Sequence, residues 1–477
     1  MKRIVALLLA CLLVFSLAAC SSEKAAETET TEGLPTQGSL PDNHTPEDTT
    51  PAVTDIALKV WAPQEALGKT KKGWLPKRCE EFAEAHPQWN ITWTYEACEA
   101  EEVVAKVTAD PAAAADLFFY SYDALETLLN ANVLTSFSGE VLAQIEQDNT
   151  DAVIELFARK IEPMDEQGRQ EAVYGVPYAV DTWVMYYNPT VFTAEDVKSL
   201  DAMLAKGKVA FPLTNAKYFA SFYLANGCTL FGDGTDAAMG IDFAGEKGVA
   251  VTRYLAQLGK NPNFVNDVDG AGMTGLQDGS VAAVFGNARA VRDVKAALGE
   301  NWAVAAAPAI TLGEQAKQLV PFYTVDAIGV NANSENSKAA SLLAAYLTTP
   351  EIQYSCYKFN ATVPVSVALR DGDTDIKVDK VCAAAMETAE KYAVLQPAIP
   401  EMDVYWAAAE MMAAAVVKGE ISVEFAEMKH AEFISALTGA GQPTANGTEQ
   451  PVTSGTESTV PDATESTVPD STEPAAQ

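Results

Sequence analysis

Two hydrophobic patterns alternate along the chain after residue 55. Residues 56–61 and 91–95 alternate as strands do, and residues 116–121 form a continuous apolar run typical of a buried strand. Between these runs, residues 75–83 and 101–109 place apolar side chains at helical spacing. Strands that alternate with helices in this way predict a parallel sheet with crossover helices.

A second series follows a long extended segment at residues 176–188. It predicts strands at 209–213, 280–285 and 302–307, with helices at 219–225 and 288–298. Another extended segment, at 322–331, then leads the chain back toward the first series. We therefore expect an α/β protein with two linked sheets. Its ligands would lie beyond the carboxyl ends of the strands, at residues 63–68 and 120–123 in the first series.

Both ends of the chain differ from this pattern. Lys2 and Arg3 precede an apolar run at residues 4–17, which predicts a signal peptide over residues 1–20. The residues from Leu17 to Cys20 resemble the lipobox of bacterial lipoproteins, in which the cysteine is lipidated; the alternative is an ordinary cleaved signal. Residues 21–54 and 440–477 are rich in Thr, Glu, Ser and Pro, so we expect a disordered tether and a disordered acidic tail.

Composition excludes several functions. A net charge of −33 argues against nucleic acid as a partner and against electrostatic docking on anionic lipid. Three histidines leave few candidates for a zinc site or a Ser-His-Asp triad. Cysteines in the predicted folded part are expected to be buried thiols, although Cys79 and Cys98 are near enough in sequence for a disulfide.

The order of segments resembles the extracellular solute-binding proteins of ABC importers, specifically the maltose/maltodextrin-binding family. The matching stretches are residues 115–134, 174–189, 276–286, 328–350 and 396–406. The resemblance implies a two-lobed, type II periplasmic-binding-protein-like fold. The implied N-terminal lobe is 55–180 plus 326–374, and the implied C-terminal lobe is 181–325 plus 375–439. We expect hinges at residues 180–183 and 323–325.

A sugar site needs flat aromatic faces together with groups that accept hydrogen bonds from hydroxyls. By resemblance, Tyr120 and Trp406 are sugar-stacking residues, Tyr218 is an aromatic of the second lobe, and Asp123 and Asp181 are hydroxyl acceptors. Glu65 lies near a further polar position of the family. Two more candidates complete the predicted site. Trp183 lies two residues beyond Asp181 and should face the same side of the strand. Asn287 could supply amide contacts, because Ala288 stands where the family has a stacking aromatic residue.

The expected function is capture of a sugar, such as a maltodextrin, and its delivery to ABC permease subunits, with no cofactor and no catalysis. The protein would be a monomer on the extracellular face of the bacterial membrane, anchored through Cys20. Ala124 and Ala288 replace residues that the family uses, which puts α-glucan specificity in doubt. Two alternatives remain open: a cell-surface glycoside hydrolase that uses Asp123 and Asp181, and a surface lipoprotein without a transport role.

Overall fold

The computed structural model describes residues 53–70, 72–165, 168–372 and 375–438, which belong to one compact unit. The predicted signal peptide, lipidated Cys20 and acidic tail lie outside the described residues. So does the predicted tether except for Val53 and Thr54, and Thr54 already begins the first strand. In the part of the chain that is described, no helix combines the length and the apolar character needed to cross a membrane.

The strands are short, apart from four of seven to nine residues that run through the first sheet. They are β1 Thr54–Ala62, β2 Trp89–Ala97, β3 Leu117–Ser121, β4 Ala158–Lys160, β5 Glu171–Val173, β6 Val176–Thr182, β7 Val184–Tyr187, β8 Val209–Phe211, β9 Thr229–Leu230, β10 Ile241–Asp242, β11 Phe264–Asn266, β12 Ala283–Gly286, β13 Ala303–Ala305, β14 Ala309–Leu312, β15 Gln315–Gln318, β16 Phe322–Val330, β17 Val363–Pro364 and β18 Val394–Leu395.

Helices connect the strands and pack on the faces of both sheets. They are α1 Gln64–Leu67, α2 Trp74–Ala85, α3 Ala100–Ala109, α4 Leu125–Asn130, α5 Gly139–Asp148, α6 Asp151–Leu156, α7 Leu200–Leu204, α8 Ala216–Ala225, α9 Glu246–Leu258, α10 Ala271–Asp278, α11 Val291–Leu298, α12 Ser337–Leu347, α13 Pro350–Asn360, α14 Val367–Asp371, α15 Lys380–Glu387, α16 Met402–Val417 and α17 Ala426–Leu437. Short 3-10 turns include Tyr122–Ala124 and Ala288–Ala290.

The first sheet has the strand order β17-β6-β16-β3-β1-β2, with β18 paired to β16. Strand β1 is parallel to β2 and β3, as the alternating pattern predicts, whereas β16 is antiparallel to β3 and β6. All five residues of β3 are buried, because the sheet is covered on both faces. One apolar core, which includes Leu75, Phe82 and Phe118, holds this sheet and its helices together.

The second sheet has the order β11-β8-β12-β7-β13. Strand β8 is parallel to β11 and β12, and β7 is antiparallel to β12 and β13. A second apolar core, which includes Phe211, Phe219 and Phe285, lies between this sheet and α8, α9, α16 and α17. The two predicted strand series therefore form two separate sheets, each with its own core.

The extended segment at 176–188 is two strands, because β6 belongs to the first sheet and β7 to the second. Strand β16 runs antiparallel to β6, with Thr324 opposite Asp181. The hydroxyl of Thr182 donates to the carbonyl oxygen of Phe322 over 2.9 Å, and this bond is buried. Residues 180–183 and 323–325, our two hinge candidates, are thus neighbours along one pair of crossover strands.

One short strand crosses the predicted lobe boundaries. Residues 375–439 were assigned to the second lobe, and α16 and α17 do pack in its core. Strand β18 lies within the same range but pairs with β16 of the first sheet. A two-residue strand gives too short a hydrophobic pattern to reveal its partner in the sequence.

The five cysteines of the described residues are all buried and unbonded: Cys79, Cys98, Cys228, Cys356 and Cys382. The disulfide considered between Cys79 and Cys98 is therefore absent from this part of the chain. Both thiols lie in the first apolar core, with exposures of 0% and 2%. Buried apolar thiols, the first expectation from the sequence, are what the structure contains.

Candidate functional site

A cavity of about 390 Å³ lies between the two sheets. Its walls come from the carboxyl ends of β1, β3 and β12 and from the crossover strands β6 and β16. Among its lining residues are Glu65 after β1, Ser121 at the end of β3, and Asn287 after β12. The strand ends predicted from the sequence as ligand positions therefore converge on one cavity.

Arg289 is the centre of the polar lining, and the sequence analysis did not select it. Its Nη2 donates to Asp181 Oδ2 over 3.2 Å, and its Nη1 lies 3.8 Å from Asp326 Oδ2. Asn287 Nδ2 also donates to Asp181 Oδ2, over 3.4 Å. Asp181, predicted as a hydroxyl acceptor, accepts through Oδ2 from two residues that follow β12.

The charge of Asp181 shifts the pKa values of its neighbours Asp326 and Arg289. Burial raises the pKa of the Asp326 carboxyl well above its usual range, and the neighbouring charge of Asp181 raises it further. The Arg289 guanidinium lies beside both carboxylates, and the charge of Asp181 raises its pKa above the usual value. The guanidinium therefore stays protonated and offsets the negative charge of Asp181.

Local structure fixes the segment that carries Asn287 and Arg289. Strand β12 ends at Gly286, and a 3-10 turn at Ala288–Ala290 leads into α11. The hydroxyl of buried Tyr186 donates to the carbonyl oxygens of Asn287 and Ala288, over 2.9 and 3.2 Å. Such a turn has no hydrophobic period, so a basic residue just after a strand end was the only sequence signal for Arg289.

Asp123 connects the first series to the second. It lies in the 3-10 turn after β3, where its Oδ2 accepts from Gln396 Nε2 over 2.5 Å and lies 3.7 Å from Lys217 Nζ of α8. Its other oxygen, Oδ1, is buried without a hydrogen-bond partner among the described residues. Lys217 lines the cavity, whereas Asp123 lies behind it and its Oδ1 is shielded from solvent.

Tyr120 does not present the stacking face that was predicted. It borders the cavity, but it is only 1% exposed, and its ring packs edge-on against Phe157 with centroids 6.0 Å apart. Strand alternation turns Phe119 and Ser121 to the opposite side of β3. Because every residue of β3 is buried, the sequence pattern could not tell these two faces apart.

Trp183 also differs from its prediction. It was expected to face the same side as Asp181, but it lies in the break between β6 and β7, where the two-residue period ends. Its indole is 5% exposed and stacks on the half-buried ring of Tyr218, with centroids 5.5 Å apart and an angle of 12°. Trp183 thus supports Tyr218 from within the second core.

Trp406, on α16, is half-buried at the edge of the second core. Its indole meets the ring of Phe322 edge-on at 6.3 Å, and Phe322 begins the crossover strand β16. The cavity itself is lined by other aromatic residues that the sequence analysis missed: Trp74, Phe119 and Tyr178.

Trp74 depends on a tight turn before α2. A Cβ on Gly73 would lie 2.4 Å from the carbonyl carbon of Leu67, so only glycine fits where the chain folds back over α1. The indole Nε1 of Trp74 then donates to Ser355 Oγ over 2.7 Å. This bond fixes the ring beside the cavity.

The structure therefore unites some of the predicted residues and separates others. Glu65, Asp181 and Asn287 line the cavity, and Asp123 lies beside the lining residue Lys217. Tyr218 and Trp183 form a stacked pair in the second core, and Trp406 lies against Phe322. The cavity is consequently rich in carboxylate, amide and guanidinium groups, which are suited to binding hydroxyls.

Two oligosaccharide-binding proteins are similar to this chain in sequence. A galactooligosaccharide-binding protein of Bacillus subtilis is 25% identical over 290 residues, which are 57% of this chain and 66% of the relative. A maltooligosaccharide ABC transporter solute-binding lipoprotein of Streptococcus pneumoniae is 26% identical over 269 residues, 52% of this chain and 62% of the relative. The chain thus matches less than two thirds of the length of each.

Solved structures extend the likeness to the whole fold. One, solved with acarbose, has a TM-score of 0.75 and 38% identity, and covers 81% of this chain and 100% of its own. A maltodextrin-binding protein from L. casei BL23 has a TM-score of 0.67 at 24% identity, covering 81% of this chain and 99% of its own. The predicted two-lobed type II fold is confirmed. Residues 77–380 match the bacterial extracellular solute-binding proteins, and the chain belongs to that family.

Proposed function

We propose that the protein binds an oligosaccharide in the cavity between its lobes and delivers it, unchanged, to the permease subunits of an ABC importer. The observation that carries this proposal is the cavity lining, where Asp181, Asn287 and Arg289 offer fixed acceptors and donors beside Trp74. Its volume of about 390 Å³ falls within the range of about 300–1,000 Å³ typical of small-molecule sites. Relatives named for galactooligosaccharides and for maltooligosaccharides, and a similar structure solved with acarbose, support the ligand class.

The proposal includes the rest of the delivery system. The lobes are residues 55–180 with 326–374 and residues 181–325 with 375–439, apart from β18. They close on the ligand by bending at 180–183 and 323–325. The protein acts as a monomer on the extracellular face of the membrane, anchored through lipidated Cys20. The lipobox-like sequence and the lipoprotein relative support the anchor.

Intrinsic tryptophan fluorescence tests ligand binding, because Trp74 lines the cavity. The protein is titrated with acarbose and with malto-, galacto- and cello-oligosaccharides of matched length. We expect at least one series to shift both the fluorescence and the Tm, since a ligand that binds only the folded state stabilises it. If none of these sugars shifts either signal, sugar binding is wrong and a surface lipoprotein without a transport role takes its place.

Two further measurements separate the remaining hypotheses. Release of new reducing ends from a bound sugar over hours would favour the hydrolase that uses Asp123 and Asp181. Fractionation of cells that express the wild type and Cys20→Ala tests the anchor. We expect wild type in the membrane fraction and the variant in the medium; equal membrane retention would contradict lipid anchoring.

A further inference from the structure

Arg289 combines a fixed position with unused hydrogen-bonding capacity. Its side chain is 30% exposed, lines the cavity, and is held between Asp181 and Asp326 of the crossover strands. A guanidinium carries five N–H donors. Among the described residues, only the bond from Nη2 to Asp181 uses one of them. The remaining donors are available to a molecule in the cavity.

The charges around Arg289 determine what that molecule can be. Six carboxyl groups line the cavity, namely Glu65, Glu99, Glu101, Asp181, Asp293 and Asp326, whereas its cations are Lys217 and Arg289. Asp181 already compensates Arg289 at 3.2 Å, and Lys217 lies 3.7 Å from Asp123. A carboxylated sugar would therefore meet surplus negative charge and no uncompensated cation. Neutral hydroxyl and ring oxygens, by contrast, can accept from the guanidinium without that repulsion.

We propose that Arg289 is a specificity-determining residue, whose guanidinium donates to the oxygens of a neutral oligosaccharide within an acidic cavity that rejects uronic-acid oligosaccharides. This inference rests on the proposed function. It adds the charge class of the ligand and names the residue that recognises the ligand. Arg289 lies two residues beyond Asn287, and its planar fork can donate directional hydrogen bonds to sugar oxygens.

The test compares Arg289→Lys with wild type, because lysine keeps the charge that Asp181 and Asp326 need but loses the planar fork. Calorimetric titrations use maltotetraose, a galacto-oligosaccharide of equal length and tetragalacturonate. For the neutral ligand that wild type binds, we expect Arg289→Lys to raise the Kd by about tenfold or more, the size of a lost hydrogen bond to a charged group. Tetragalacturonate should bind wild type at least about a hundredfold more weakly than that neutral sugar.

Arg292→Lys is the matched control. Arg292 lies in α11, is exposed, and packs over the ring of Phe359 at 5.5 Å, outside the cavity. The Arg292→Lys variant should therefore bind the neutral sugar with the wild-type Kd. An unchanged Tm in Arg289→Lys shows that any loss of affinity is not a loss of folding. If the Tm of Arg289→Lys falls, both proteins are titrated at a temperature below the unfolding transition of the variant.

The outcomes separate the two proposals. If wild type binds a neutral sugar but Arg289→Lys binds it equally well, or if tetragalacturonate binds as tightly, the role of Arg289 is overturned and the proposed function stands. If wild type binds none of the sugars, including acarbose, both are overturned.

Discussion

The indole ring of Trp183 lies parallel to the phenol ring of Tyr218, with centroids 5.5 Å apart and an angle of 12°. Phe211 and Phe285 meet the same indole edge-on, at 5.8 and 5.4 Å. Trp183 is thus enclosed on several sides, whereas Tyr218 is only half-buried. The two rings therefore differ in exposure, although both were predicted to contact the ligand.

Substitutions at these two positions should separate stability from binding. Trp183→Ala removes a ring from the second core, so we expect a loss of about 3–5 kcal/mol in the free energy of unfolding, measured by urea denaturation. Tyr218→Ala should cost less stability and weaken oligosaccharide binding by about tenfold. Tyr218→Phe keeps the ring and should retain most of the affinity. Equal affinity in wild type and Tyr218→Ala would remove Tyr218 from the site.

We expect a sugar ring to stack on the half-buried face of the Trp406 indole. Trp406→Ala should weaken oligosaccharide binding at least about tenfold, or about 1.4 kcal/mol, as measured by calorimetry. Trp406→Phe, which keeps an aromatic face against Phe322, serves as the control and should lose less. A Kd that stays the same in Trp406→Ala would assign the indole to the core alone.

Tyr120 should behave as a core residue. Tyr120→Ala leaves a cavity beside Phe157, and we expect about 3–5 kcal/mol lower stability in urea. Tyr120→Phe removes only a hydroxyl whose hydrogen bond to the Tyr174 carbonyl is long, at 3.4 Å. That variant should keep both the stability, within about 1 kcal/mol, and the Kd. A large loss of affinity in a stably folded Tyr120→Phe would restore Tyr120 to the binding site.

His430 should make stability depend on pH. Its Nε2–H donates to the carbonyl of Phe243, and its Nδ1 lies 3.0 Å from the hydroxyl of Thr252, so the ring is enclosed by the second core. Burial lowers the pKa of His430 below its usual value near 6.5. The unfolded chain therefore binds the proton more readily than the folded protein, and the free energy of unfolding should decrease as pH falls below about 6.5.

Urea denaturation across this pH range, with His430→Gln for comparison, measures the effect. The variant should lose less stability on acidification than wild type, because the titrating group is gone. Proton NMR of the imidazole gives an independent check, and a His430 that titrates at or above about 6.5 would contradict the prediction.

The sequence was most informative where its periodicity was strong. The first strand series was predicted because β1 and β2 alternate and β3 is continuously apolar, and the loops after these strands do line the cavity. Periodicity failed where the chain changes sheets: Trp183 falls in the gap between β6 and β7, so the two-residue rule no longer relates it to Asp181.

Other parts of the site have no sequence signal of that kind. Arg289 is placed by a 3-10 turn and by the hydroxyl of Tyr186, a contact between residues 100 or more positions apart. Asp326 faces this cluster only because β16 returns to pair with β3 and β6. Such side chains become neighbours through tertiary pairing, which a pattern within one segment does not encode.

The buried cysteines determine the thiol chemistry of the folded protein. Burial raises the pKa of Cys79, Cys228 and Cys382 to about 12 and that of Cys98 and Cys356 to about 11. Attack on a disulfide requires a thiolate, and at neutral pH these side chains stay protonated and shielded. Once folded, the described part of the chain therefore presents no reactive thiol at neutral pH, and its cysteines should resist alkylation until the cores open.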